Sequence, residues 1–176
     1  MTRDNSTKTM TKDIEGPEFA ITRVFDAPRE KVWKAFTESE HLLRWWGPKG
    51  FKMLKGRLDL RPEGVFHYCM RSPMGLRMCG KFVYREIIKP EKIVFVNSFS
   101  DEENNLTRHP LEPNWPLEVL NTLTLTEHNG QTTLALKAVP LNATDLENKT
   151  FEDGRSSMRE GFSGTWDQLD AYLAKA

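Results

Sequence analysis

Residues 65–88 read VFHYCMRSPMGLRMCGKFVYREII, and this stretch decides the fold. Val65–Arg71 and Leu76–Ile88 are rich in aromatic and apolar residues and flank Ser72-Pro73-Met74-Gly75, a tight turn carrying both Pro and Gly. Two such runs across one short turn predict an antiparallel hairpin. A strand's period of two puts Phe66, Tyr68 and Met70 on one face and His67, Cys69 and Arg71 on the other. Equal spacing across the turn then brings Met78, Gly80, Phe82 and Tyr84 to the same inward face. It also makes Cys69 and Cys79 cross-strand neighbours on the outward face, since they are equidistant from Met74.

The pattern repeats downstream. After Lys89-Pro90-Glu91, Lys92–Ser100 supplies a further strand with Ile93, Phe95, Asn97 and Phe99 inward. Leu117–Thr126 and Thr132–Val139 flank Glu127-His128-Asn129-Gly130, where Asn-Gly is a strong hairpin dipeptide. Val119, Asn121, Leu123 and Leu125 form the fourth inward set. Successive hairpins without intervening helices imply an antiparallel meander.

Upstream, Phe51–Leu60 is a strand that turns at Arg61–Gly64, and Glu18–Asp26 is another. Between them, Ala27-Pro28 opens a helix with Val32, Trp33 and Phe36 as its buried stripe. Ser39 is expected to cap a second short helix holding Leu42, Leu43, Trp45 and Trp46, which Gly47-Pro48 ends. The longest helix is expected over about 151–174, capped by Thr150. At 100° per residue, Met158, Phe162, Thr165, Trp166, Leu169, Tyr172 and Leu173 share one face, with Glu160, Ser163, Asp167 and Asp170 opposite. Gly161 borders the apolar arc, where a ligand or a strand could come close.

The expected fold class is therefore α+β: a curved antiparallel sheet of six to seven strands around a long C-terminal helix, with two short helices after the first strand. Residues 1–16, polar and closed by Gly16-Pro17, are expected to be a disordered tail, and 17–176 one domain. Residues 101–116, DEENNLTRHPLEPNWP, hold three prolines and no period. A loop that long often covers a binding site. Leu111 and Trp115 within it suggest docking.

Composition narrows the function. Twenty-five basic and twenty-five acidic side chains cancel, and no Lys/Arg run occurs, so nucleic-acid binding lacks its electrostatic source. The polar N-terminus has no apolar h-region, and no stretch approaches the roughly 18 apolar residues of a spanning helix. A cytoplasmic protein without membrane insertion is expected. Two cysteines suit a reducing compartment, in which thiols stay free. His41, His67, His109 and His128 are scattered, so no metal site and no cofactor is expected. Neither Gly-x-Ser-x-Gly nor a Gly-rich phosphate loop is present.

Several short motifs occur in a telling order: Arg23–Pro28 followed by Val32-Trp33; Trp45-Trp46-Gly47-Pro48; Asp59–Gly64; Gly80; Pro90–Val94; Arg108-His109-Pro110; Trp115–Glu118; and Met158…Gly161-Phe162…Trp166…Leu169. Together they resemble the START-like, Bet v 1-like (SRPBCC) superfamily, and within it the single-domain proteins similar to the C-terminal domain of the activator of Hsp90 ATPase. The resemblance spans about 18–174 and implies a helix-grip fold. It departs from the family's usual residues at Glu63, Phe162 and Trp166. Relatives of this superfamily bind lipids, close polyketide rings or serve chaperones, so the resemblance speaks to fold more than to chemistry.

The inward sets and the helix stripe outline an apolar wall with few polar groups, which is the character of a small-molecule site. The expected ligand-binding residues are Trp46, Phe66, Tyr68, Met70, Met78, Phe82, Tyr84, Phe95, Asn97, Asn121, Leu123, Met158, Phe162 and Trp166. The expected guest is a hydrophobic, lipid-like or amphipathic small molecule. Two other readings stand beside it. The first is a co-chaperone for an Hsp90-type ATPase in stress response, although the segment before Glu18 is too short for the separate N-terminal domain of such activators. The second is a cyclase- or hydratase-like enzyme using the same cavity. Catalysis would need an inward ionisable group. Glu86, inward by parity unless a bulge near Ile87-Ile88 reverses it, and His109 in the long loop are the weak candidates. The balance leans away from an enzyme, and a homodimer stays open.

Overall fold

A computed structural model describes residues 16–175. The expected tail lies, apart from Gly16, outside the described residues. The strands are β1 (Phe19–Phe25), β2 (Lys52–Leu58), β3 (Val65–Arg71), β4 (Arg77–Ile88), β5 (Lys92–Ser100), β6 (Leu106–Thr107), β7 (Glu118–His128) and β8 (Gln131–Leu141). The helices are α1 (Arg29–Thr37), α2 (Ser39–Trp45), α3 (Asp145–Asp153) and α4 (Arg155–Lys175). All strand pairings are antiparallel in one sheet ordered β1-β8-β7-β5-β4-β3-β2, with the two-residue β6 against the end of β5. This is the helix-grip arrangement, one short strand richer than the meander expected from sequence.

The turn chemistry does what it promised. Asn129 and Gly130 both take positive φ (52° and 77°), so the β7–β8 hairpin closes in two residues with His128 facing Gln131. On the inward face Phe66, Phe82 and Phe95 are almost wholly buried, and Phe82 stacks on Phe95 with centroids 4.2 Å apart. Gly80 makes room for this web. A Cβ there would lie 2.6 Å from the Tyr68 hydroxyl, so only glycine lets that phenol cross β4.

Four expectations need correction. Ser39 is the first helical residue of α2, and the cap position is Glu38, with no side-chain capping bond. The C-terminal helix is two helices. Thr150 is an interior residue of α3, and the cap is Thr144, whose side chain accepts from Glu147 N while the Glu147 carboxylate accepts from Thr144 N. That reciprocal pair is a capping box, stronger than one hydroxyl alone. Glu86 does not face inward. The β4–β5 register slips between Tyr84 and Glu86, ahead of the bulge near Ile87-Ile88 considered from sequence. The extra residue turns Ile87 to the core and Glu86 to solvent, where it pairs with Lys92 at 3.5 Å. Lastly, Cys69 and Cys79 are bonded to each other rather than free. They face one another directly in the β3–β4 register, with Cα atoms 4.0 Å apart.

α4 divides into two halves. Its C-terminal half is fixed to the α1–α2 pair. Trp166 packs against Phe36 and Trp45, and Leu169 and Leu173 are buried beside them. Thr165 Oγ1 donates to Gly47 O at 3.1 Å, Gln168 Nε2 to Trp45 O at 3.2 Å and Lys31 Nζ to Leu173 O at 2.8 Å. The N-terminal half runs along β1, with Phe162 stacked on Phe19 at 5.8 Å and Arg159 donating to Ala20 O at 3.1 Å. Between this half and strands β3, β4, β5 and β7 lies a gap.

Candidate ligand cavity

That gap is a cavity of about 790 Å³. Its floor is the inward face of the sheet: Tyr68 and Met70 from β3, Met78, Gly80 and Phe82 from β4, Phe95, Asn97 and Phe99 from β5, and Val119 and Asn121 from β7. Met158, Gly161, Phe162 and Thr165 of α4 form the roof. Trp46, just past α2, closes one end, its indole edge-on to Phe82 at 5.0 Å. The 108–116 loop closes the other with His109, Glu112, Asn114 and Trp115. Exposed lining residues Asn114, Asp153, Ser157 and Gly161 mark the mouth between this loop and the start of α4.

The sequence reading and the cavity agree on Trp46, Tyr68, Met70, Met78, Phe82, Phe95, Asn97, Asn121, Met158 and Phe162, all of which line it. Phe66, Tyr84, Leu123 and Trp166 stand outside the lining and belong to the solid core. Trp166 lies one turn beyond Phe162, where Phe36 and Trp45 of the α1–α2 pair receive it. Glu112, Asn114, Asp153 and Ser157 went unrecognised, since nothing in their spacing separates them from ordinary surface polar residues. Of the two loop residues expected to dock, Trp115 does, against Phe151 at 5.3 Å, whereas Leu111 is 73% exposed.

Few polar groups face the interior. Burial raises the Tyr68 pKa, with Trp46 and Asn97 opposing it, so the phenol stays neutral. The Trp46 Nε1 lies beside Tyr68, influencing its ionisation, yet makes no well-formed hydrogen bond and is buried without a partner. A buried donor in that condition costs free energy until an acceptor reaches it. Asn121 Nδ2 donates to Val119 O at 3.1 Å. Burial likewise raises the pKa of Tyr84, behind the wall, far above its ordinary value.

His109 is set by its own turn. Its Nδ1 accepts from Leu111 N at 3.0 Å and Glu112 N at 3.1 Å, and its ring lies 4.5 Å from that of Phe99. Two backbone donors on Nδ1 require that nitrogen to be unprotonated, so the neutral ring carries its proton on Nε2. Burial lowers the His109 pKa and outweighs the Glu112 charge that raises it, which favours the same neutral form. The loop is latched by Arg108 Nη1, which donates to Glu147 Oε2 at 2.5 Å and to Trp115 O at 3.4 Å. The Thr144 backbone N–H and then Arg108 hold the Glu147 carboxyl below the usual glutamate range.

An antiparallel sheet closed on a long helix, with a cavity between them, defines a helix-grip domain of the SRPBCC, Bet v 1-like superfamily. Within it, the chain belongs to the activator of Hsp90 ATPase homolog 1-like protein family, whose model matches residues 26–174. Solved structures share the fold. A crystal structure of a Mycobacterium smegmatis protein is 27% identical, with a TM-score of 0.74, covering 92% of this chain and 93% of that one. An Arthrobacter aurescens protein solved by NMR is 23% identical (TM-score 0.72; coverage 93% and 90%). A Nitrosomonas europaea protein is 22% identical (TM-score 0.71; coverage 90% and 94%). No curated protein matches the chain significantly. Among the described residues no helix is long and apolar enough to cross a membrane.

Proposed function

We propose that the protein binds a hydrophobic or amphipathic small molecule in the cavity beneath the N-terminal half of α4. The carrying observation is a space of about 790 Å³ walled mainly by aromatic and aliphatic side chains. That size falls within the range of small-molecule sites, and burying ligand apolar surface at about 25 cal/mol per Å² supplies affinity. The partnerless Trp46 N–H adds a polar requirement, so the best guest carries a carbonyl or carboxylate acceptor at the end that meets Trp46 and Tyr68. Native mass spectrometry of the protein incubated with medium-chain fatty acids and aromatic amphiphiles tests this. One molecule retained per chain is expected. Absence of any adduct across both series would refute the reading.

A second reading draws on the matched family's description, that of proteins like an Hsp90 ATPase activator. A co-chaperone of this kind would stimulate the ATPase of a purified Hsp90-type chaperone, and an unchanged rate would dismiss it. The enzymatic reading loses Glu86 to solvent and retains His109 on the wall, where the neutral ring offers an N–H donor rather than a charged acid.

A further inference from the structure

On the opposite face of the sheet, His67 and Cys69 are two residues apart on β3 and therefore point the same way, while Cys79 faces Cys69 from β4. An outward face is normally wet, but here residues 101–105 fold back over it. Asp101 accepts from Glu103 N at 2.9 Å and Asn105 N at 2.8 Å, Lys81 Nζ donates to Asn104 O at 3.0 Å, and Glu102 pairs with Arg77. Beneath this roof Cys69 is fully buried and Cys79 8% exposed. A ring nitrogen of His67 and both sulfurs lie within 4.8 Å of one another. Strand parity already put His67 and both cysteines on this face, but without the close His/Cys motif from which a metal site is read in a sequence.

Two details make this more than a staple between strands. His67 Nε2 lies 3.0 Å from the Asp101 carbonyl and 3.1 Å from Ser100 Oγ; the carbonyl can only accept, so Nε2 carries a proton and Nδ1 is the ring atom left to ligate a metal. A far-side N–H held by a backbone carbonyl is the support a metal-bound histidine ordinarily has. Next to Cys79, a crevice lined by Arg77, Ser100, Asp101, Glu102 and Glu103 opens to solvent. It is the route by which a reductant, a cation and a water molecule would reach Cys79.

We propose that reduction of the Cys69–Cys79 disulfide creates, with His67, a three-ligand site for a thiophilic divalent cation such as Zn²⁺. A dithiol reductant supplies two electrons and two protons. The S–S bond breaks, two thiols form, and the reductant becomes a disulfide. The cation then displaces both thiol protons to solvent and is held by two thiolates, the imidazole and a water in the crevice. Tetrahedral Zn²⁺ takes sulfur at about 2.3 Å and nitrogen at about 2.0 Å, which places two thiolates roughly 3.8 Å apart. The opposed strand positions accommodate that opening without a change of register.

The test uses protein reduced anaerobically with a phosphine, then titrated with Co²⁺ as a spectroscopic stand-in and back-titrated with Zn²⁺. One equivalent of Co²⁺ should bind with thiolate-to-cobalt charge-transfer absorption, Zn²⁺ should abolish the band, and unreduced protein should show none. His67→Ala should weaken binding on the order of tenfold or more while keeping the thiolate band, and the Cys69→Ser/Cys79→Ser double variant should lose it. Near-UV circular dichroism follows the fold in each sample. The proposal is overturned by reduced protein without the band, by His67→Ala binding as tightly as the parent, or by loss of tertiary structure on reduction.

Discussion

The two halves of α4 begin from the same amphipathic pattern and end in different states. From Thr165 onward the helix is clamped: Trp166 is 1% and Leu169 0% exposed, and side-chain hydrogen bonds of Thr165, Gln168, Tyr172 and Lys31 tie it to α1, α2 and the segment after them. Before Thr165 the same stripe leans on β1 through Phe162 and Phe19 and leaves a cavity over the middle of the sheet. Met158 and Phe162 are half-buried, and a Cβ placed on Gly161 would meet nothing within 4 Å. The lesson is that hydrophobic periodicity reports which face turns inward, not whether anything fills the space it faces.

Substitutions should therefore separate along the helix. Trp166→Ala is expected to have the largest effect, about 3–5 kcal/mol of lost stability, because a large side chain leaves a well-packed site. Chemical denaturation measures it, and a loss under 1 kcal/mol would mean that the C-terminal half is not the clamp. Phe162→Ala and Met158→Ala, whose side chains already border empty space, should cost only about 1 kcal/mol while weakening uptake of an apolar guest. Equal destabilisation at all three positions would erase the distinction between the halves.

The loop over the open half should be the acid-sensitive part. His109 has a lowered pKa, so its contribution is complete above the ordinary histidine range and is lost as pH falls through the folded value. The depressed Glu147 acts in the same sense at lower pH, its contribution present above the ordinary glutamate range and lost below it. Glu147→Gln weakens both the capping box and the Arg108 latch, and is expected to lower the thermal midpoint at neutral pH by about 2–4 °C. The gap between variant and parent should shrink as pH drops below 4, and a constant gap would place the latch elsewhere. The smallest effect is a gain. Gly161→Ala should add up to about 1 kcal/mol, since the site is helical and unobstructed.

Much of the fold was legible because alternation is a local signal. The alternate residues of Phe66–Met70, Met78–Tyr84 and Ile93–Phe99 face inward as their spacing required, and Ser72–Gly75 and Asn129-Gly130 turn where turn residues stand. What escaped depends on partners distant in sequence. The bulge at Tyr84–Glu86 carries no Gly or Pro to announce it, so parity misassigned Glu86. Thr144 and Glu147 spell a capping box, yet the apolar stripe ahead drew the helix start to Thr150. Trp45 and Trp46 are adjacent, but one donates to Ala35 O in the core at 2.9 Å and the other walls the cavity. No sequence period separates such neighbours. Spacing set Cys69 opposite Cys79, but the cover that residues 101–105 lay over their bond comes from a returning loop that no local pattern reveals.

The account depends on the space under Met158, Gly161 and Phe162 being available to a guest, and a fluorescence titration with an apolar, anionic naphthalene probe addresses this directly. The parent should take up one equivalent saturably, and Gly161→Trp, which projects an indole into the gap, should lose that uptake at a thermal midpoint no lower than the parent's. Equal uptake by the two proteins, or none by the parent, would contradict it.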